Sequence, residues 1–181
     1  MAESLRQLDP TRLGDHVDRL YASAWGLCGN REWAEDLVQE TYARVLARPR
    51  FLRKDDDLGY LLRALRNTFF VQLKKEKRQP RGEEISAGSE PVDSVGHMQP
   101  EREAEARLIY AAIAELPEDF RFALVAVDVT GLSYEEAAKA LRIPEGTVRS
   151  RLYRARDRIA DLLGDQLTQS EPQVSEGGRS V

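Results

Sequence analysis

Cysteine and histidine are nearly missing from this 181-residue chain: it holds Cys28 alone, with His16 and His97. One cysteine cannot form an internal disulfide, and so few soft ligands make a structural zinc site an unpromising expectation. Aromatics are sparse at 7%, and no run of about twenty apolar residues is present to span a bilayer. The opening MAESLRQLDP has no apolar stretch, so no secretory signal is expected and a cytoplasmic setting is. A Gly-Lys phosphate loop is also missing, which argues against nucleotide-driven work. No cofactor is expected. What remains is a chain 41% hydrophobic and 32% charged, a balance suited to small helical domains with modest cores.

The net charge of −4 conceals a division. Residues 1–80 carry 15 basic and 12 acidic side chains, residues 81–105 carry 2 and 7, residues 106–163 carry 9 of each, and 164–181 add −2. Acidity therefore belongs mainly to one central stretch and the tail. Local clustering, rather than the total, sets the field that a phosphate backbone meets.

Helical periodicity runs through both halves. Thr11 to Leu27 places Leu13, Val17, Leu20, Tyr21, Ala24 and Leu27 on one side, and Gly29-Asn30 supplies a stop followed by a cap. Arg31 to Ala47 buries Trp33, Leu37, Val38, Thr41 and Val45, leaving Glu35, Asp36, Gln39, Glu40 and Arg44 on a strip that periodicity alone reads as solvated surface. Pro49 ends that helix, and Arg50 to Asp57 read as a charged loop. Asp55-Asp56-Asp57 invites a metal reading, but three consecutive aspartates do not share a helical face, and capping of the next helix by Asp57 is the preferred role. Leu58 to Arg78 form that helix. Its Arg66, Asn67, Phe70, Lys74, Lys75 and Lys77 suit single-stranded DNA, where bases stack and phosphates need neutralising. Cations near a helix C-terminus also answer its dipole, and the pattern leaves both readings open.

Residues 81–100 are rich in Pro, Gly, Ser and acids without a sustained period, and read as a flexible tether. Order resumes with Pro100, a helix to about Leu116, and another from Pro117 to Val129. Gly131 to Ile159 is the most informative stretch. Ser133 and Glu136 form a capping box, Gly131 suits a left-handed residue, and Pro144 opens a second helix to about Leu163. Val148, Leu152, Ala155 and Ile159 make its buried stripe. Arg149, Ser150, Tyr153 and Arg154 share another face, flanked by Arg151, Arg156 and Arg158. Five arginines in ten residues after a capped helix and short turn give a helix-turn-helix layout, and such a face can grip guanine edges and phosphates. Residues 164–181 read as a disordered tail.

In these motifs the chain resembles the extracytoplasmic-function (group four) sigma factors of bacterial RNA polymerase, across roughly residues 11–163. The likeness is carried by Ala34 to Thr41 (AEDLVQET), Tyr60 to Asn67 (YLLRALRN), Glu115-Leu116-Pro117, Gly131 to Ala138 (GLSYEEAA) and Gly146 to Leu152 (GTVRSRL). It implies an all-α protein of two small helical domains, residues 11–80 and 101–163, joined by a flexible linker. It also implies a role as a specificity subunit without enzymatic activity. Asp36, Gln39 and Glu40 would then lie against the clamp helices of the polymerase's largest subunit, replacing the solvated-surface reading, and the flap region would be a second contact. The loop with Phe51 would receive a flipped base of the −10 element, and Arg66, Asn67 and Lys74 would line the melted strand. Arg149, Ser150, Tyr153 and Arg154 would read the −35 element. Promoter DNA, core polymerase and an anti-sigma protein are the implied partners. Val71 departs from the family, which often has aspartate there.

Two other classes compete. A helix-turn-helix regulator would bind duplex DNA alone and ignore core polymerase. A magnesium-dependent helical enzyme would use Asp55 to Asp57, but it lacks a second acidic motif.

Overall fold

The computed structural model describes residues 5–7, 10–47, 51–53, 56–78 and 100–169. A short strand β1 (Leu5–Gln7) precedes a 3-10 turn (Pro10–His16), which runs into α1 (Val17–Cys28). Helix α2 (Arg31–Leu46) is followed by strand β2 (Phe51–Arg53) and by α3 (Asp57–Arg78). The second half comprises α4 (Pro100–Glu115) and α5 (Glu118–Leu124), the latter continued by a π turn (Val125–Val129). It ends with α6 (Tyr134–Leu141) and α7 (Glu145–Gln169). The strands pair antiparallel as a small ribbon, Leu5 with Arg53 and Gln7 with Phe51.

The chain is thus helical, as its periodicity requires, with local corrections. The first helix is split: residues 10–16 wind as 3-10, with Leu13 buried, before regular α geometry begins. The segment read as a loop after Pro49 contains the β2 strand. Asp57 is the first residue of α3 rather than its cap. The carbonyl of Asp56 accepts the Tyr60 N–H at 2.9 Å, which puts Asp56 in the half-in position. The last helix runs on to Gln169, six residues into the segment read as a disordered tail. Residues 81–99, the expected tether, lie outside the described residues.

Helix boundaries follow their local chemistry. Asn30 accepts from the Trp33 N–H at 3.0 Å, and Gly29 ends α1 at φ 70°. Ser133 Oγ accepts the Glu136 N–H while a Glu136 carboxylate oxygen accepts the Ser133 N–H, completing the capping box. The bond from the Ser133 backbone holds the Glu136 carboxyl below its ordinary value. Its contribution is therefore complete above the carboxylate range and is lost as pH falls through the depressed pKa. Arg142, at φ 58°, closes α6 in the left-handed region where glycine is usual.

The expected pair of helical modules is present, and the two are packed face to face. One apolar cluster runs from Leu20, Leu37 and Leu65 in the first half to Leu116, Val125 and Leu152 in the second. Close approach is possible because α1 carries Gly26 on the shared side and is closed by Gly29. A Cβ on Gly26 would meet Val125 Cγ2 at 3.0 Å and Ile113 Cγ2 at 3.6 Å, and one on Gly29 would meet the Ala114 Cβ at 2.7 Å. A mid-helix glycine costs about 0.5–1 kcal/mol relative to alanine, so Gly26 is disfavoured locally and explained by the neighbour it admits. Beside it Trp25 stacks on Tyr110 at 4.3 Å between ring centres, and Arg31 lies over Trp25 while pairing with Glu103 at 2.6 Å.

Loss of the Ser133 cap leaves the Glu136 N–H without its side-chain partner. Ser133→Ala is expected to lower stability by about 1 kcal/mol. Urea unfolding should show this as an earlier midpoint with an unchanged slope.

Candidate nucleic-acid interface

Three surfaces carry the candidate residues. The first is α2, whose buried stripe of Ala34, Leu37, Val38, Thr41 and Val45 turns the opposite side outward. Asp36 and Gln39 are exposed, and Glu40 is half-buried, holding Arg44 one turn on at 2.6 Å. This surface exposes carboxylate and amide groups within two turns of the helix.

The second surface is α3. Its buried side includes Leu58, Leu61, Leu62, Leu65 and Phe69. Asn67 and Lys74 are exposed. Arg66 is not open to solvent in the same way: its guanidinium lies 5.1 Å from the Phe70 ring centre and 5.0 Å from that of Phe122, which belongs to α5. Phe51 stands in the ribbon at the start of β2, opposite Gln7, and its side chain lies outside the described residues. Val71 is exposed, so the absence of a carboxylate there disturbs no packing. Of the aspartate run, Asp56 is held by Arg63 at 2.7 Å, Asp57 is buried, and Asp55 lies outside the described residues.

The third surface is the N-terminal half of α7. Val148, Leu152 and Ala155 are buried, which fixes the helix's rotation and turns Arg149, Ser150, Tyr153 and Arg154 outward. Tyr153 is 73% exposed. Arg149 lies over the Tyr134 ring at 4.6 Å and donates to Glu145 at 2.7 and 3.2 Å, which raises its pKa further and aims its planar fork along the helix start. Ser150 Oγ donates to the Thr147 carbonyl at 3.1 Å.

The flanking arginines divide by role. Arg151 pairs with Asp119 of α5 at 2.7 Å, and Arg156 makes two bonds to Asp128 of the π turn at 2.6 and 2.9 Å. Both brace α7 against α5 and its π continuation. Arg154 and Arg158 are exposed. The arrangement can grip phosphates and base edges through Arg149 and Arg154, with Tyr153 as an apolar or hydroxyl contact. The described residues contain no cluster of His, Cys, Asp and Glu fit for a metal ion, and no helix among them is long and apolar enough to cross a membrane.

Sequence reasoning missed the residues that join the modules. Arg19 donates to the Thr130 carbonyl at 2.8 Å, the Ser23 and Thr130 hydroxyls are 2.7 Å apart, and Arg121 donates to the Leu27 carbonyl at 2.8 Å. Cys28 borders this seam, and burial pushes its thiol up to about 12. One signal was available: a glycine inside a helical pattern marks close backbone approach, and Gly26 is such a glycine.

Comparison with known proteins fits this geometry. Residues 13–79 match the family model for sigma-70 region 2, and residues 106–159 match that for sigma-70 region 4. The chain is 37% identical over 154 residues to the ECF RNA polymerase sigma factor SigE of Mycolicibacterium smegmatis, a match covering 82% of this chain and 58% of that protein. It is 36% identical over 148 residues to the ECF RNA polymerase sigma factor EcfG of Rhodopseudomonas palustris, covering 81% and 80%. Among solved structures, the sigma factor RpoE in complex with the anti-sigma factor NepR from Bartonella quintana superposes with a TM-score of 0.64 at 28% identity, covering 85% of this chain and 95% of that one. CnrH, solved with the cytosolic domain of CnrY, shares the fold at a TM-score of 0.53 and 20% identity, covering 86% and 84%.

Because Tyr153 and Arg154 make no packing contribution to the α7 stripe, Tyr153→Ala and Arg154→Ala should each change folding stability by less than about 0.5 kcal/mol. Chemical denaturation checks this. A loss above about 1 kcal/mol would make them structural residues instead.

Proposed function

The chain belongs to the sigma-70 family and is an alternative sigma factor of the extracytoplasmic-function type, and from that premise we propose how its surfaces divide the work of initiation. Residues 11–80 form the module that docks on core polymerase and opens the −10 element, residues 81–100 are the tether, and residues 101–163 read the −35 element. Asp36, Gln39 and Glu40 meet the clamp helices of the largest polymerase subunit, and the second module meets the flap region. Arg149, Ser150, Tyr153 and Arg154 enter the major groove. Phe51, Arg66, Asn67 and Lys74 receive the unstacked −10 strand. The observation that carries this reading is the outward group Arg149, Tyr153 and Arg154 on the second helix of a capped helix-turn-helix, combined with the exposed Asp36 and Gln39 on the other module.

The chemistry is binding rather than bond making. Opening is favoured because an unstacked base gains stacking partners and a fitted site, offsetting a few kcal/mol of unpairing. Each arginine–guanine contact adds about 1–3 kcal/mol of discrimination. Either module alone binds weakly, and mounting both on polymerase at fixed spacing supplies the effective concentration that makes promoter binding tight. The work takes place in the cytoplasm with the polymerase. The structural likeness to a sigma factor solved with an anti-sigma protein supports sequestration by such a partner.

In vitro transcription with purified core enzyme on a promoter library tests the assignment. Arg149→Ala and Arg154→Ala should each reduce −35-dependent transcripts, by about 1–3 kcal/mol of lost binding, and leave core binding intact. Asp36→Arg with Glu40→Arg should abolish core binding. Wild-type affinity in that double variant would remove α2 as the docking surface, and tight duplex binding without core would turn the protein into an ordinary regulator.

A further inference from the structure

Among the described residues Arg142 is the one non-glycine with positive φ, at φ 58° and ψ 44°. There an L-residue brings its Cβ against the following carbonyl oxygen, and glycine is the usual occupant of such a helix-closing position. The turn does need the conformation. It lets the Ile143 N–H reach the Ala138 carbonyl at 3.1 Å and leads into α7, whose first turn closes on the Pro144 carbonyl. Nothing in that geometry needs an arginine.

Nor does the fold use the side chain. Leu141 before it is buried and Ile143 after it packs on the core, while Arg142 is exposed between them. Among the described residues no carboxylate pairs with it: Glu135 holds Lys139, and Glu145 holds Arg149. Its charge stands between the C-terminus of α6 and the N-terminus of α7, whose dipoles act on it in opposite senses. A strained position that keeps a bulky, unpaired cation points to a partner off the chain.

The place of Arg142 indicates that partner's chemistry. A helix with its side chains is about 10–12 Å across and the major groove is about 12 Å wide, so a helix lying there meets phosphate walls. In a helix-turn-helix the N-terminal residues of the second helix reach base edges, so the turn ahead of them passes a wall. Arg142 is in that turn, between α6 and the start of α7 at Glu145. We propose that Arg142 is a phosphate clamp, gripping the DNA backbone where α7 enters the groove. The proposal rests on the assignment of α7 to the −35 element. It adds a residue that fixes register without reading sequence, a task suited to a guanidinium fork on two phosphate oxygens.

The test uses holoenzyme assembled from purified core polymerase and the full-length chain, unaltered or carrying Arg142→Gly, Arg142→Lys or Arg149→Ala. The probe is a fluorescein-labelled duplex of the strongest promoter from the library. Two controls accompany it: the same duplex with altered −35 bases, and one cut short downstream of the −35 element. Anisotropy gives affinity from about 50 to 200 mM salt, and urea unfolding of the free chain gives stability.

Arg142→Gly should hold or raise the unfolding midpoint, since glycine accepts the left-handed backbone. It should nevertheless weaken promoter binding about eightfold near 0.1 M salt and flatten the logarithmic salt slope by about 0.9, the effect of one lost phosphate contact. The same fold loss should appear on the altered −35 duplex and vanish on the cut one, and Arg142→Lys should restore the slope. Arg149→Ala should instead narrow the difference between the two −35 sequences. Unchanged affinity and slope in Arg142→Gly, a loss confined to one −35 sequence, an equal loss on the cut duplex, or a lower unfolding midpoint would each overturn the proposal. If the unaltered holoenzyme binds cut and full duplexes alike, the assignment of α7 to the −35 element fails, and the clamp with it.

Discussion

The structure depends on how closely α1 can approach the second half of the chain. At Gly26 and Gly29 the α1 backbone comes near enough to Val125, Ile113 and Ala114 that a side chain on either glycine would need the neighbours to move. That distance brings Trp25 onto Tyr110 and puts Ser23 within reach of Thr130. On the far side of the same seam, α5 comes down on α3, so that Phe122 meets Phe69, Phe70 and Arg66. Helices normally pack about 8–10 Å apart depending on the side chains between them. With hydrogen at the contact, backbone and side chains form one layer where larger residues would hold the modules apart.

Electrostatics on α7 follow a related economy. The chain is acidic overall, yet α7, the helix proposed to read DNA, carries five arginines between residues 149 and 158. Two of them, Arg151 and Arg156, are bound to Asp119 and Asp128, where they orient the helix. Arg149 is held over Tyr134 by Glu145. A phosphate or base edge must therefore exchange with a carboxylate at Arg149, a trade between two charge-assisted partners in water. Such a trade adds little affinity and favours whichever partner fits the planar fork best. Exposed pairs of this kind contribute little to stability, because water screens them; their use here is orientation.

Much of the fold was legible because local rules and tertiary demands agree. The Ser133–Glu136 box, the Asn30 cap, the left-handed Gly131 and the Val148–Leu152–Ala155 stripe all appear in the structure. Errors came where chain ends or partners decide. The 3-10 winding of residues 10–16 serves the burial of Leu13, whose carbonyl takes the Tyr42 hydroxyl at 3.0 Å, a contact invisible to periodicity. The β2 strand exists through its pairing with residues 5–7, and so needed a distant segment. For the site, the outward residues of α2 and α7 could be read from helical phase alone. The fate of Arg66 could not, since Phe122 lies 56 positions away and reads in sequence as an ordinary core residue of α5.

The π turn at Val125–Val129 gives the chain one more residue than regular α winding would hold in the same rise. Its last turn closes with the Thr130 N–H on the Val125 carbonyl at 2.7 Å, and the Thr130 hydroxyl bonds that same carbonyl. An added residue advances everything downstream by roughly 100°, the angular step of a helix. The turn therefore works as a phase setting: it brings Thr130 round to face Ser23 and fixes the azimuth at which α6 and α7 leave the seam. Removing one residue there would keep Arg149, Ser150, Tyr153 and Arg154 on one face of α7, yet point that face in a different compass direction.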